Sequence, residues 1–202
     1  VVPHRDVAAF DERAPGYEEG WRGRLHHEIA ERTAGVAAGC APSASRILDV
    51  GCGTGYLLRQ LAGRYPGAAE LSGVDAAAGM VSAAAAAAAA GGDGRLNFRV
   101  GIAEELPWDA GTFDLVVSST SFDHWADQLA GLRECFRVLT PGGQLVLVDQ
   151  FSAWLVPTLA GSRRGKARTK RRAGRLVSAA GFGSLEWHYL YAVLIRAVTA
   201  TK

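Results

Sequence analysis

The sequence predicts an α/β fold, a doubly wound and mostly parallel sheet with helices on both faces. Three observations carry that reading. Ile47-Leu48-Asp49-Val50 has the apolar content of a buried parallel strand and empties into Gly51-Cys52-Gly53-Thr54-Gly55, a glycine turn that opens a helix. Four more strand-like runs follow, alternating with helical patterns of about 10 to 15 residues, as right-handed crossover units do. The residues with chemistry to offer lie just after those runs, where an open α/β sheet places its ligands.

Taken in order, residues 21–38 read as a helix packed against the binding core. Strands are expected at 46–50, 70–74, 96–101, 113–118 and 144–149, and helices at 54–64, 78–91 and 126–139. The helix at 126–139 places Leu129, Leu132, Phe136 and Leu139 on one face, and Pro141 with Gly142-Gly143 stops it. Ala83 to Ala90 is an unbroken alanine run; it favours helix and buries little area, which suggests close approach to the sheet, and compositional bias explains it equally well. Phe151 to Leu159 is apolar and broken by Pro157, and a basic stretch then runs into a helix at 167–180 that ends at Gly181. Leu185 to Ala200 is rich in β-branched and aromatic residues and reads as two closing strands, with the turn near His188–Tyr191. The whole chain, 1–202, is read as one domain: a helical cap or lid at 1–45, a binding core at 46–149, and a basic helix with closing strands at 150–202.

Length and composition suit that reading. With 202 residues, 49% of them apolar and 21% charged, the chain can bury a sizeable core. No apolar run approaches the roughly 20 residues of a membrane span, and the N-terminal residues carry acids and lack the apolar centre of a secretory signal. Cys40, Cys52 and Cys135 are an odd number at unrelated spacings, which fits neither a disulfide framework nor a metal site. No metal is therefore expected, and a reducing, cytoplasmic compartment is. The net charge of +2 hides an asymmetry: Arg163 to Arg175 holds eight of the 22 basic residues and no acid, which leaves 14 basic against 20 acidic residues elsewhere.

The glycine turn has the spacing Gly-x-Gly-x-Gly, and bulky Tyr56 stands where a dinucleotide fingerprint needs a small residue. Ile47–Gly55 resembles the first motif of class I S-adenosylmethionine-dependent methyltransferases. Gly73-Val74-Asp75, Gly101–Trp108 (GIAEELPW), Phe113–Ser119 and Leu139–Gly143 resemble four further stretches of that family in the right order. The resemblance spans roughly Arg46 to Asp149. It implies a Rossmann-like seven-stranded sheet of order 3-2-1-4-5-7-6 with the last strand antiparallel, and S-adenosylmethionine as cofactor with S-adenosylhomocysteine as product. It also implies site roles. The turn Gly51-Cys52-Gly53 with Gly55 meets the aminocarboxypropyl chain, and Asp49 organises that turn by accepting its N–H groups or serves as a plain turn cap. Asp75 accepts the ribose hydroxyls, with a helix cap as the alternative. Ala76 and Met80 give apolar faces to the adenine, Met80 alternatively being core filler, and Ser118 lines the cleft. Ile102 stands where the family often has an acid for the adenine amino group; isoleucine can only pack on the ring, leaving the Ala103 N–H as the polar contact. In Phe10-x-x-x-Ala14-x-x-Tyr17 the tyrosine corresponds to a lid residue, or packs as part of an N-terminal arm.

Methyl transfer from a sulfonium is an in-line displacement in which near-attack positioning supplies most of the acceleration, and a base is needed only for a protonated acceptor. His124, tuned by Asp123, is the candidate catalytic group, and the competing reading is that His124-Trp125 only shapes the pocket. Ser118 and Ser119 lack the glycine flanks of a nucleophile elbow, and His26 and His27 read as surface residues. Phe151, Trp154, Leu155 and Pro157 suit an apolar wall over the acceptor or a dimer contact. The basic segment 163–175 suits an anionic or amphiphilic acceptor, or nucleic-acid phosphates, although it lacks interleaved aromatics, and a solvated helix face accounts for it as well. The sequence therefore points to methyl transfer to O, N or C of a small-molecule acceptor. The rivals are an RNA or protein methyltransferase gripping through 163–175, and a non-catalytic methyltransferase-like scaffold.

Overall fold

Strand β1 (Arg46–Val50) is buried at every residue but its first, as a strand covered on both faces should be. In the computed structural model, which describes residues 7–151, 169–191 and 194–202, it pairs in parallel with β2 (Glu70–Asp75) and β4 (Phe113–Ser119). β3 (Leu96–Val100) adds beyond β2, and β5 (Leu139–Asp149) beyond β4, both parallel. β7 (Ile195–Thr201) runs antiparallel to β5, and β6 (Gly183–Tyr191) closes the sheet antiparallel to β7. The resulting order, β3-β2-β1-β4-β5-β7-β6, is the one the resemblance implies.

Six α-helices accompany the sheet in the described chain: α1 (Val7–Arg13), α2 (Gly20–Cys40), α3 (Tyr56–Arg64), α4 (Ala78–Gly91), α5 (Gln128–Val138) and α6 (Lys170–Ala179). Side chains alternate across the sheet with period two. Leu48, Val116, Leu145 and Val198 therefore pack with Leu132 and Val138 of α5 and Val177 of α6. Ile47, Leu115, Val146 and Ala197 point the other way, onto Ile29 and Ala34 of α2 and Leu58 and Leu61 of α3. The alanine run does permit close approach, since Ala84 is buried and a Cβ on Gly55 would come within 3.1 Å of its own. Ala84 and Ala88 are the buried alanines of the run, one helical turn apart, so packing explains these two and the remaining alanines serve helix propensity.

Several expected boundaries shift for local reasons. The helix after the glycine turn starts at Tyr56, because Gly55 is its left-handed cap with φ +75°. α5 starts at Gln128, where Asp127 accepts the N–H groups of Leu129 and Ala130. The Leu139–Gly143 turn is a bulge inside a longer β5: the register jumps between Phe113↔Leu139 and Leu115↔Gln144, and Gly142 and Gly143 bond the backbone of Lys202. The closing turn does not lie at His188–Tyr191. β6 continues through Tyr191, which pairs with Ile195; His188 is held by Thr199 at 3.1 Å and Leu190 is buried, so reversal waits until after Tyr191.

Trp154, Leu155, Pro157 and the basic residues 163–168 lie outside the described residues. Phe151 is fully buried, with ring contacts to Phe122 and Trp187, so it belongs to the core and not to an acceptor wall. Among the described residues no helix is long and apolar enough to cross a membrane.

Candidate functional site

The strand order reverses between β1 and β4, and the loops beyond their carboxyl ends enclose a cleft. Its larger lobe encloses about 730 Å³, the open solvent at its mouth included. A smaller lobe of about 490 Å³ adjoins it, and Tyr17, Gly51, Gly53, Ser119 and Thr120 line both.

The glycine turn is built from backbone that other residues resist. Gly51 and Gly53 have φ of +76° and +51°. The Gly51 and Cys52 N–H groups donate to Val74 O at 2.8 and 3.1 Å, and Gly53 N–H donates to Asp75 Oδ2 at 2.9 Å. Asp49 receives none of these three bonds, so it does not organise the turn as expected; Val74 and Asp75 of β2 do. Gly55 lines neither lobe. A Cβ there would lie 2.8 Å from the Phe98 ring, so its role is the close packing of α3 on the sheet.

Asp75 ends β2 in the wall of the larger lobe. Its Oδ1 accepts from Ala77 N–H at 2.9 Å, so both carboxylate oxygens are oriented by backbone donors. Burial raises its pKa, against the bonds from Ala77 and Gly53, and the Asp11 charge adds to the rise. Ala76, Met80, Ile102 and Ala103 line the same lobe as a largely apolar slot. Asp49 lines the smaller lobe, and its Oδ1 is buried without a hydrogen-bond partner. Burial, with the Asp75 charge second, pushes its carboxyl up to about 8. Cys52 also lines this lobe; burial raises its thiol well above the usual value, which leaves it inert.

The N-terminal segment crosses the mouth. Phe10 and Tyr17 pack with Ala77 and Met80, and Asp11 Oδ1 accepts from Gly79 N–H at 2.7 Å, tying α1 to the start of α4. Tyr17 lines both lobes. Its hydroxyl pKa is raised by burial and then by Asp75.

After β4, the sequence expectation is partly displaced. Ser118 is fully buried beneath the floor, its Oγ 2.9 Å from Ser121 Oγ, and it lines neither lobe. Ser119, Thr120 and Ser121 line the larger lobe in its place. Ser121 Oγ donates to Val50 O at 3.0 Å and accepts from Trp125 Nε1 at 3.2 Å; a Cβ on Gly51 would lie 2.2 Å from it. Thr120 has φ +55°, a strained conformation for a β-branched residue. No motif marked Ser121, since its role arises from the meeting of two loops 71 residues apart.

His124 lines the larger lobe with its ring edge-on to Phe10, centroids 5.1 Å apart. Asp123 is not part of the lining. Its N–H donates to Asp149 Oδ2 at 3.0 Å, which anchors the turn that presents His124. His26 and His27, expected on the surface, line the smaller lobe with Glu18 and Thr54. Among the described residues no group of three His, Cys, Asp or Glu is placed to hold a metal ion. The arrangement offers oriented carboxylates, an apolar slot, and a histidine at the rim, under a strap.

This fold and cleft define an α/β domain of the methyltransferase type, and comparison with known proteins agrees. Residues 47–143 match a family described as methyltransferase domain. The chain is 36% identical over 164 residues to the ubiquinone/menaquinone biosynthesis C-methyltransferase UbiE of Syntrophotalea carbinolica, covering 81% of this chain and 64% of that protein. It is 37% identical over 136 residues to the demethylmenaquinone methyltransferase of Deinococcus radiodurans, covering 66% and 51%. The chain spans between 45% and 64% of the length of these two and of the ubiquinone/menaquinone biosynthesis C-methyltransferase UbiE of Geotalea daltonii. Among solved structures, the [4+2]-cyclase SpnF superposes with a TM-score of 0.80 at 19% identity, covering 99% of this chain and 96% of that one. Human N-acetylserotonin methyltransferase, in complex with SAM, gives 0.72 at 20% identity, covering 98% and 57%. These two show the shared fold alone. Residues 47–143 thus carry a methyltransferase-type domain.

Proposed function

We propose that this chain, acting as a single domain, binds S-adenosylmethionine in the cleft and transfers its methyl group to O, N or C of a small-molecule acceptor. The observation that carries the reading is Asp75. Its two oxygens are oriented by the Gly53 and Ala77 N–H groups and the residue lines the cavity, which suits an acceptor for a vicinal diol. The remaining walls fit the same cofactor. The buried, unpartnered Asp49 Oδ1 suits an ammonium group, and Met80, Ile102 and Ala103 suit a flat heterocycle.

When bound, the cofactor supplies a methyl group on a sulfonium, an excellent leaving group. The work left to the chain is positioning and exclusion of water. Phe10 and Tyr17 cover the mouth, Gly51 and Gly53 admit the ligand to the backbone, and His124 at the rim takes a proton from an acceptor that carries one. The relatives' names, which include a malonyl-[acyl-carrier protein] O-methyltransferase of Methylococcus capsulatus, support small acceptors of more than one kind. Cys40, Cys52 and Cys135 are free thiols, in keeping with the cytoplasmic setting we propose.

Asp75→Ala is the test. It should weaken S-adenosylhomocysteine binding by more than tenfold, the loss of a charge-assisted contact of about 1.5–3 kcal/mol. Unchanged affinity in calorimetric titration would remove Asp75 from the site.

A further inference from the structure

The smaller lobe lies between the glycine turn and the His26–Ala30 stretch of α2. Beside Asp49, whose Oδ1 has no hydrogen-bond partner, two hydrogen-bond donors and one close histidine converge on a single side chain. Glu18 Oε1 accepts from Thr54 Oγ1 at 2.6 Å and from Arg59 Nη2 at 2.9 Å, and its Oε2 lies 3.2 Å from His27 Nε2. Arg59 is itself held for this task. Its Nη1 donates to Thr54 O at 2.7 Å, and its guanidinium lies over the Tyr56 ring. His27 stacks on that same Tyr56 ring, at 3.7 Å between centroids. Burial works to raise the Glu18 carboxyl, but the Thr54, Arg59 and His27 contacts outweigh it and hold the group below its usual range.

We propose that Thr54, Arg59 and His27 form a carboxylate-binding subsite, and that Glu18 occupies it as an internal stand-in for the α-carboxylate of the bound ligand. The proposal rests on the reading that the cleft takes S-adenosylmethionine. An α-amino acid terminus needs an acceptor for its ammonium and donors for its carboxylate within a few ångströms of each other. Asp49 in the wall of the lobe is the acceptor; Thr54 and His27 in the same wall, with Arg59 behind it bonded to Glu18, are the groups that meet a carboxylate. Two carboxylates on one donor set repel, so the ligand displaces Glu18 when it seats. Glu18 directly follows Tyr17, which lines both lobes beneath the strap. Filling the smaller lobe therefore moves the residue next to the lid, and cofactor binding is coupled to the placement of the N-terminal segment. The exchange swaps one carboxylate for another on the same donors, so Glu18 lowers the apparent affinity of the ligand by holding the empty site in a competing state.

A pair of probes isolates this subsite. S-Adenosylhomocysteine carries the amino acid terminus; 5′-methylthioadenosine shares the adenosine and thioether and lacks it. By calorimetric titration, Glu18→Ala and Glu18→Gln should bind S-adenosylhomocysteine about tenfold more tightly than the wild type, with 5′-methylthioadenosine changed by less than about twofold. Arg59→Met should do the reverse to the first compound, weakening it about tenfold, and spare the second. Glu18→Gln keeps an acceptor for Thr54, so it guards against a folding defect in the alanine variant, and melting temperatures confirm that each variant is folded. Unchanged or weaker S-adenosylhomocysteine binding in both Glu18 variants would overturn the proposal and make Glu18 structural or an ammonium ligand. Failure of the wild type to bind either compound would be a different result, defeating the functional reading on which the proposal rests.

Discussion

Gly51 joins the turn after β1 to the loop after β4 at a distance no side chain tolerates, with Ser121 Oγ packed against its Cα. Gly51→Ala combines a left-handed conformation, costing about 1–2 kcal/mol, with a collision that must push Ser121 off Val50 and Trp125. We expect a lower melting temperature and a loss of S-adenosylhomocysteine affinity of more than about tenfold, read by titration; wild-type affinity would show that the loop yields freely. Asp49 makes a prediction about pH. Its folded-state pKa of about 8 stands far above the roughly 3.9 of an unfolded chain. Between those values the folded protein keeps a proton that the unfolded chain has released, so stability falls as pH rises from about 4 to about 8. Asp49→Asn removes the penalty, and its advantage in melting temperature should grow from pH 5 to pH 8. An advantage independent of pH would mean that Asp49 is already ionised in the fold. Gly51, Gly53 and Asp75 were legible in the sequence because backbone geometry and strand ends constrain residue type. Ser121, Glu18 and Asp11 were not, because each acts only on a partner brought close by the fold.

Helix α1 is a short element that buries none of its own residues and holds its place through the packing of Val7 and Phe10 on the Ala77–Met80 turn and one charged hydrogen bond from Asp11. Such an element opens independently of the core. Asp11→Ala should speed amide exchange across residues 7–17 and leave the global melting temperature nearly unchanged; unaltered exchange would show that the apolar contacts alone seat the strap. At the other end of the chain, the β6–β7 turn was misplaced from sequence because no Gly, Pro or Asn punctuates 185–191. What sets the reversal is register against β7, where His188 pairs with Ala197 and Tyr191 with Ile195, and the His188 ring bonds the Thr199 hydroxyl. The Pro141-Gly142-Gly143 signal was correctly seen as a break, yet the break is a bulge held by the backbone of Lys202, a contact from the far end of the chain that local residue types do not reveal.

Across the whole molecule, the sheet reverses its order between β1 and β4, and all the carboxylates of the site stand near that edge: Asp49 on β1, Asp75 on β2, Glu18 and Glu104 on segments that close over it. The strand order was legible through the family resemblance, whereas periodicity alone gave the number and sequence of the elements. The division of the cleft into two lobes was not legible, since Tyr17, which lines both, comes from a segment that precedes the sheet. This division is also what separates the two ligand chemistries we assign, a diol and heterocycle in the larger lobe and an amino acid terminus in the smaller. The most direct test is a calorimetric titration of the wild-type protein with S-adenosylmethionine, S-adenosylhomocysteine and NAD. Saturable binding of the two adenosyl compounds at micromolar concentration, with none for NAD, is the expected result. Silence from both adenosyl compounds, or binding of NAD in their place, would contradict it.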